Sequence, residues 1–393
     1  MQREPQNAAI GGEMNAKRVV ALLGQRDEPT DGVADYCEWL GQAMGAQGFA
    51  FETYRVAWSE RGWGPALQDL RVEASGWAGC WVLLQFTNLA WSRRGFPLHA
   101  PKILAALREG GARRGVVFHD FEPFPGTRVI DRARRSFQLH VLRRLYDLAD
   151  LTIFTALLEK VSWLPAERHK AVFIPIGANC PAVHTRVGNS PSDAKTVAIF
   201  CLTGGRHTDA EVRDIGYALK RAQAIAGKLR LVVLGRGSRE AEQGLHAEFA
   251  GTGINVETLG LLSPEEVSHT LTHSDVLLFV RGSISSRRGS AIAGIACGLP
   301  IVSYAGPETG WPITEAGVLA VPQGDRDALS GSLGRVLTDG ALRAALAERS
   351  RRAQALYFSW PAIASGYAAA LNGQFGAAQN GRKLESIANA QAR

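Results

Sequence analysis

The sequence predicts an α/β protein of two Rossmann-like, doubly wound domains that face each other across a cleft. Three observations carry that expectation. Strand-length apolar runs alternate with stretches of helix-compatible sequence, a polar segment bearing Pro, Ser and Gly interrupts the alternation near the middle, and the same alternation then begins again. At 393 residues, 46% of them hydrophobic, the chain is also long for one ordinary core and suits two domains of roughly 150–200 residues each.

In chain order, residues 1–15 read as a flexible polar leader with no charged-then-apolar signal pattern. The runs "RVVALLG", "FETYRV", "CWVLLQF", "GVVFHD", "LTIFT" and "AVFIPI" supply the strands of a first domain over 16–180, each separated from the next by ten or more residues. The linker is expected at 181–195, within "CPAVHTRVGNSPSDAK". A second set, "TVAIFC", "LRLVVLG", "INVETLG", "DVLLFV", "PIVSY" and "VLAVP", builds a second domain over 196–358. After Gly340 a helical stretch leads to "SWPAIASGYAAALN", a helix over 359–375 expected to pack back on the first domain, and 376–393 read as a tail. Sheets of this kind bind ligands outside the carboxyl ends of their strands, so the expected binding place is the cleft between the domains.

Composition narrows the partners. No apolar run approaches the ~18–20 residues that span a bilayer, and a cytoplasmic protein is expected. The five cysteines stand far apart without a C-x-x-C pair and read as buried small hydrophobes. A net charge of +7 favours anionic partners without choosing among nucleic acid, phospholipid and a phosphorylated small molecule. No nucleic-acid motif or aromatic platform accompanies the charge, and no Cys, His or carboxylate cluster has metal-ligand spacing, so neither nucleic acid nor a metal or other cofactor is expected.

The most informative stretch is "SSRRGSAIAGIACGLPIVSYAG", Ser285 to Gly306. Ser285 and Ser286 are residue types that cap helices, and "SAIAGIAC" is a small-residue helix ended by Gly298 and Pro300. Arg287, Arg288, Gly289 and Ser290 are therefore expected in its first turn. Free amides, the positive end of a helix, a glycine that allows close approach and guanidinium forks together suit a diphosphate. The alternative reading is a solvated surface pair of arginines.

From "LRLVVLGRGSREAEQGL" through "INVETLGLLSPEEVSHTLTHSDVLLFV" and "ACGLPIVSYAGPETGWPITEAGVLAVPQGDRDALSG" to "FSWPAIASGYAAAL", the second half resembles the donor-binding half of family-4 glycosyltransferases, which have the GT-B fold. The likeness covers about Thr196 to Leu371 and is weaker in the first half. It implies transfer of a sugar from a nucleotide-diphosphate sugar, with retained configuration and without a metal, this turn and helix meeting the donor's phosphates and sugar. The chain departs from the family pattern where two glutamates eight positions apart are usual, since Ser285 and Ala293 stand there. In "CLTGGRHTDAE", beside Gly205, Arg206 stands for the family's lysine and Leu202 falls at its arginine. An R-R-G-S turn in this position resembles a branch of the family, with Arg206, Arg287 and Arg288 supplying the cationic charge.

The acceptor is expected on the first half. His119 and Asp120 follow the strand of "RGVVFHD", which puts them at the cleft mouth, and the resemblance implies a histidine there facing the donor sugar. Gly32, in "DEPTDGVADY", is either a first-turn glycine near the donor phosphates or an ordinary helix-start glycine. Glu308 could return a carboxylate to the cleft or stand solvated in its loop. Arg132, Arg135, Arg143 and Arg144 form either a basic face for an anionic membrane, at the inner side of which the protein would be peripheral, or the solvated side of a packed helix. The leading function is a glycosyltransferase acting on a glycan, lipid-linked or small-molecule acceptor. A sugar-nucleotide epimerase of the same fold and a non-catalytic nucleotide-sugar-binding protein are the alternatives.

Overall fold

The computed structural model describes residues 17–126, 128–183 and 194–374. Among them, six strands make a first, wholly parallel sheet: β1 (Lys17–Leu23), β2 (Phe49–Arg55), β3 (Trp81–Phe86), β4 (Arg113–Phe118), β5 (Leu151–Phe154) and β6 (Ala171–Phe173). Six more make a second: β7 (Lys195–Phe200), β8 (Leu229–Leu234), β9 (Asn255–Gly260), β10 (Val276–Ser283), β11 (Ile301–Ala305) and β12 (Val318–Pro322). The apolar runs of the sequence become these strands. Those buried on both faces, such as β3 and β5, carry no polar alternation.

The helices of the first half are α1 (Gly32–Gly45), α2 (Trp58–Arg61), α3 (Trp63–Ala74), α4 (Ala100–Glu109) and α5 (Val129–Leu148). Those that follow are α6 (Thr208–Ala226), α7 (Ser238–Phe249), α8 (Pro264–Thr272), α9 (Gly289–Ala296), α10 (Arg326–Thr338), α11 (Gly340–Ala353) and α12 (Trp360–Leu371). Local chemistry sets several starts: Asp31 caps α1 through the amide of Ala34, and Ser263 and Glu266 form a reciprocal capping box on α8.

The strand orders are β2-β1-β3-β4-β5-β6 and β12-β11-β10-β7-β8-β9. The second is the dinucleotide-fold order, whose direction reverses between β7 and β10. Loops leaving the carboxyl ends of those two strands diverge to opposite faces there and open a crevice. Those loops contain residues 201–207 and 284–288.

The chain returns to the first sheet at its end. α12 lies beside α1 on one face of that sheet, where Ile363, Tyr367 and Leu371 join Leu40, Leu83 and Ile153 in a shared core. Burying three side chains of this size is worth roughly 1.5–3 kcal/mol each. Polar bonds fix the position: Tyr36 Oη donates to Tyr367 Oη at 2.9 Å, and the Trp360 and Trp81 indoles donate to the carbonyls of Ala178 and Leu371 at 2.8 and 2.9 Å.

Candidate functional site

The crevice of the second sheet is shaped by an irregularity in β10. Its pairing with β11 shifts between Phe279 and Ser283, and Gly282 takes a φ of +69° that disfavours any other residue. The bulge falls where the chain leaves the sheet for the turn before α9. One arginine that sequence reasoning missed, Arg281, lies in it. Its signal was available, since it ends the "DVLLFV" strand run on the binding side of the sheet.

The serines do not cap the helix as expected. α9 begins at Gly289 with Arg288 at its N-cap, without a side-chain cap bond, so Arg287 and Arg288 precede the first turn. Ser285 Oγ instead donates to Glu308 Oε2 at 3.2 Å, and Ser286 Oγ donates to the Thr155 carbonyl at the end of β5, 2.8 Å away. Both serines are nearly fully buried, and a buried hydroxyl takes the strongest acceptor in reach, here a carboxylate and a carbonyl at the seam between the domains. Ile176 N also donates to Ser286 O across that seam, at 3.3 Å. The turn is therefore held against the first half of the molecule. The amides of Gly289 and Ser290, by contrast, have no acceptor among the described residues, and Ser290 is itself nearly buried.

The two adjacent arginines differ. Arg287 is gripped by Glu308 through Nε–Oε2 at 2.7 Å and Nη2–Oε1 at 2.9 Å, and lies 5.1 Å over the Phe121 ring. Burial works against both charges, but the paired bonds prevail: the guanidinium is held above its usual pKa and the Glu308 carboxyl below its own. Arg288 has no carboxylate partner among the described residues, and its Nε is a buried donor without an acceptor. Burial, then the neighbouring charge of Arg287, pulls its pKa down to about 10. The Arg281 Nε is likewise buried without an acceptor, and that guanidinium lies near the Cys201 thiol and within electrostatic reach of Arg288. Two positive groups and two free helix amides thus converge where the sheet order reverses.

After β7, Gly204 and Gly205 take φ of +80° and +58° to open the turn into α6. The Arg206 side chain lies outside the described residues. Leu202, at the family's arginine place, is wholly buried. The cation of this region comes from elsewhere: Arg236, in the turn after β8, reaches across the cleft to Asp27 at 3.0 Å and to the Thr30 carbonyl at 2.7 Å. Gly32 follows as the first residue of α1, and its carbonyl accepts from Asn179 Nδ2 at 3.1 Å. An added Cβ there would meet nothing within 4 Å, so the position leaves room beside the backbone.

On the first sheet, His119 and Asp120 sit at the carboxyl end of β4, both amides donating to the Phe86 carbonyl. The His119 ring packs edge-on against Tyr36 at 5.2 Å, and its Nε2 pairs with Gln85 Oε1 at 2.9 Å. Burial, with the nearby charge of Arg287, lowers its pKa to about 4, so the ring is neutral at pH 7. Asp120 accepts from the Asn88 amide at 2.9 Å and lies within electrostatic reach of Arg287. The structure therefore brings His119, Asp120, Ser285, Arg287 and Glu308 into one neighbourhood. Arg132, Arg135, Arg143 and Arg144 are instead exposed on α5, and none makes an ion pair among the described residues. No group of three or more His, Cys, Asp or Glu suited to a metal occurs among the described residues, and no described helix is long and apolar enough to cross a membrane.

Two parallel Rossmann-like domains meeting across such a cleft define the GT-B class, and solved structures share this fold. The chain is similar to HepE of Anabaena in complex with UDP and glucose, at 14% identity and a TM-score of 0.61 over 90% of this chain and 99% of that one. It is also similar to sucrose-phosphate synthase from Thermosynechococcus elongatus, at 18% and 0.66 over 92% and 100%. A glycosyltransferase from Rickettsia africae gives 12% and 0.64 over 91% and 99%. Residues 211–353 match the family described as glycosyl transferases group 1. The fold is therefore GT-B, and the stretch 211–353 of the second domain is similar to glycosyl transferases group 1. No curated protein matches the sequence.

Proposed function

We propose that this chain is a retaining, metal-independent glycosyltransferase that uses a nucleotide-diphosphate sugar and belongs to an R-R-G-S branch of the family-4 enzymes. The observation that carries the reading is the convergence of Arg281, Arg288 and the free amides of Gly289 and Ser290 at the reversal of strand order, within the stretch that matches the group 1 family. Bond cleavage leaves charge on the departing diphosphate. Guanidinium forks and a helix N-terminus fixed before the reaction stabilise that charge without reorganising, which is the ground for expecting no metal requirement.

The missing sugar-side carboxylate has a physical substitute. Glu308 arrives from the loop after β11, and its Oε2 is hydrogen-bonded to Ser285, the residue standing at the family's glutamate. Negative charge thus returns to the same neighbourhood by a different chain route. His119, neutral and anchored through Nε2 to Gln85, has Nδ1 left to accept a bond from a sugar hydroxyl. Its role in this reading is to orient the sugar.

The test is a thermal-shift panel of nucleoside diphosphates followed by product analysis with the matching sugars. A ligand that binds only the folded state raises its stability by RT ln(1 + [L]/Kd), so the correct base stands out. UDP is the first to try, as the nucleotide bound to the similar HepE. Transfer to an acceptor supports the reading. Isomerised or hydrolysed donor without an acceptor favours an epimerase, and binding without turnover favours a non-catalytic protein.

A further inference from the structure

The acceptor side of the molecule carries an exposed apolar surface that the cleft chemistry does not use. Among the described residues, Leu98, Phe124, Val129, Ile130 and Phe137 are large hydrophobics left 44–80% exposed. They come from three segments packed on one another. Phe96 meets Phe137 ring to ring at 5.8 Å, Arg134 lies over both Phe96 and Phe124, and Gln138 bridges the Phe124 amide and the Gly95 carbonyl. Ile130 and Phe137 are two turns apart on one face of α5, and Leu98 lies two residues beyond Phe96. Such clusters on a soluble surface mark a place of contact.

The charge around this cluster selects the partner. Arg132 is exposed one turn from Val129, Arg94 is exposed in the segment that carries Phe96 and Leu98, and Arg135, Arg143 and Arg144 are exposed further round and along α5; none makes an ion pair among the described residues. Asp131, beside Ile130 in the chain, is nearly buried and tied to Arg134 at 2.8 Å, and Glu122, two residues before Phe124, accepts from the amide and hydroxyl of Ser162. An apolar wedge carried on the same segments as exposed, unpaired arginines matches the headgroup layer of an anionic membrane, where side chains such as Ile and Phe enter the acyl boundary and guanidinium groups meet phosphates. A protein partner would need acidic groups placed to match each arginine; a lipid surface supplies them by diffusion.

We infer that the N-terminal half of α5 and its flanking loops seat this protein on an anionic membrane surface. Seating there places the cleft at the membrane. Phe121, under the Arg287 guanidinium, is three residues from Phe124, a separation of at most about 11 Å. The acceptor is accordingly lipid-linked, a conclusion that rests on the transferase reading, whereas the seating does not.

Co-sedimentation of the full chain with phosphatidylcholine vesicles, alone or with roughly one-third phosphatidylglycerol, tests the seating at about 0.05 M and about 0.5 M salt. Binding is expected with the anionic vesicles only and largely released at the higher salt. Ile130→Ser/Phe137→Ser and Arg132→Gln/Arg135→Gln should each lower the vesicle-bound fraction severalfold, with the UDP thermal shift unchanged. That shift reports both folding and the donor site, and the absence of a shift with every nucleoside diphosphate of the panel in the parent would sink the transferase reading without touching the vesicle result. Equal or absent binding to both vesicle types overturns the seating, as does full binding by both folded variants. A concentration-dependent dimer abolished by Ile130→Ser/Phe137→Ser would assign the surface to a second copy of the chain instead.

Discussion

Glu308 holds Arg287 through both carboxylate oxygens, at 2.7 and 2.9 Å, while Arg288, the next residue, has no carboxylate partner among the described residues. Adjacent residues at the start of a helix point in different directions. Here the difference divides their work: one charge is committed to an internal counter-ion and the other is free to meet a ligand.

Arg288→Ala should therefore weaken binding of the nucleoside diphosphate that the thermal-shift panel selects more than Arg287→Ala does. The loss at Arg288 is expected to be roughly 1.5–3 kcal/mol, the range for hydrogen bonds to charged groups. Titration calorimetry on both single variants measures it, and the reverse order would mean that Glu308 releases Arg287 when the ligand arrives. Arg288→Lys should recover only part of the loss, because an ammonium keeps the charge without the fork.

Glu308→Gln keeps the size and the bond from Ser285 but removes the negative charge. Turnover should fall at least about a hundredfold if that charge is felt at the reacting sugar. Affinity for the nucleoside diphosphate that the panel selects should hold or rise, because a carboxylate that repels an anion is gone from the arginine turn. Unchanged turnover in a folded variant would return Glu308 to the role of a counter-ion for Arg287.

His119 is neutral in the folded state down to about pH 4, whereas in the unfolded chain it titrates near the ordinary histidine value of about 6.5. Between those values the unfolded state binds the extra proton, so stability falls as pH falls from 6.5 towards 4. The full effect is on the order of 2–4 kcal/mol. Denaturant titrations of the parent and His119→Gln across that window should show a smaller acid loss in the variant. Parallel curves would mean that His119 titrates normally in the folded protein.

An added Cβ at Gly177 would stand 2.6 Å from the Trp360 indole, whose Nε1 donates to the neighbouring Ala178 carbonyl. Gly177→Ala should push the start of α12 off the first domain at a cost of about 1–3 kcal/mol, the range for overpacking. The thermal midpoint should drop with little change in affinity for the nucleoside diphosphate that the panel selects. A midpoint equal to the parent's would show that α12 yields freely.

Much of this molecule was legible in its sequence, because the information is local. Twelve apolar runs are visible without any fold and became twelve strands, since a strand buried on both faces needs only a short unbroken apolar segment. The position of the R-R-G-S turn was legible too, since Gly298 and Pro300 end a small-residue helix wherever it packs. Side-chain partnership was not. Ser285, Ser286 and Arg287 have capping or anion-binding chemistry in any sequence, yet their acceptors lie 21 to 131 residues away, on the loop after β11 and at the end of β5. The acceptorless Nε of Arg281 and the low pKa of His119 likewise arise from burial against distant segments. The sequence by itself determined the strands and the end of the small-residue helix, because periodicity and turn chemistry act over a few residues, but not the helix start, which Ser285 and Ser286 lost by bonding elsewhere. The tertiary structure alone decided which charges are spent on each other and which remain free, because that depends on what the folded chain brings within hydrogen-bond reach.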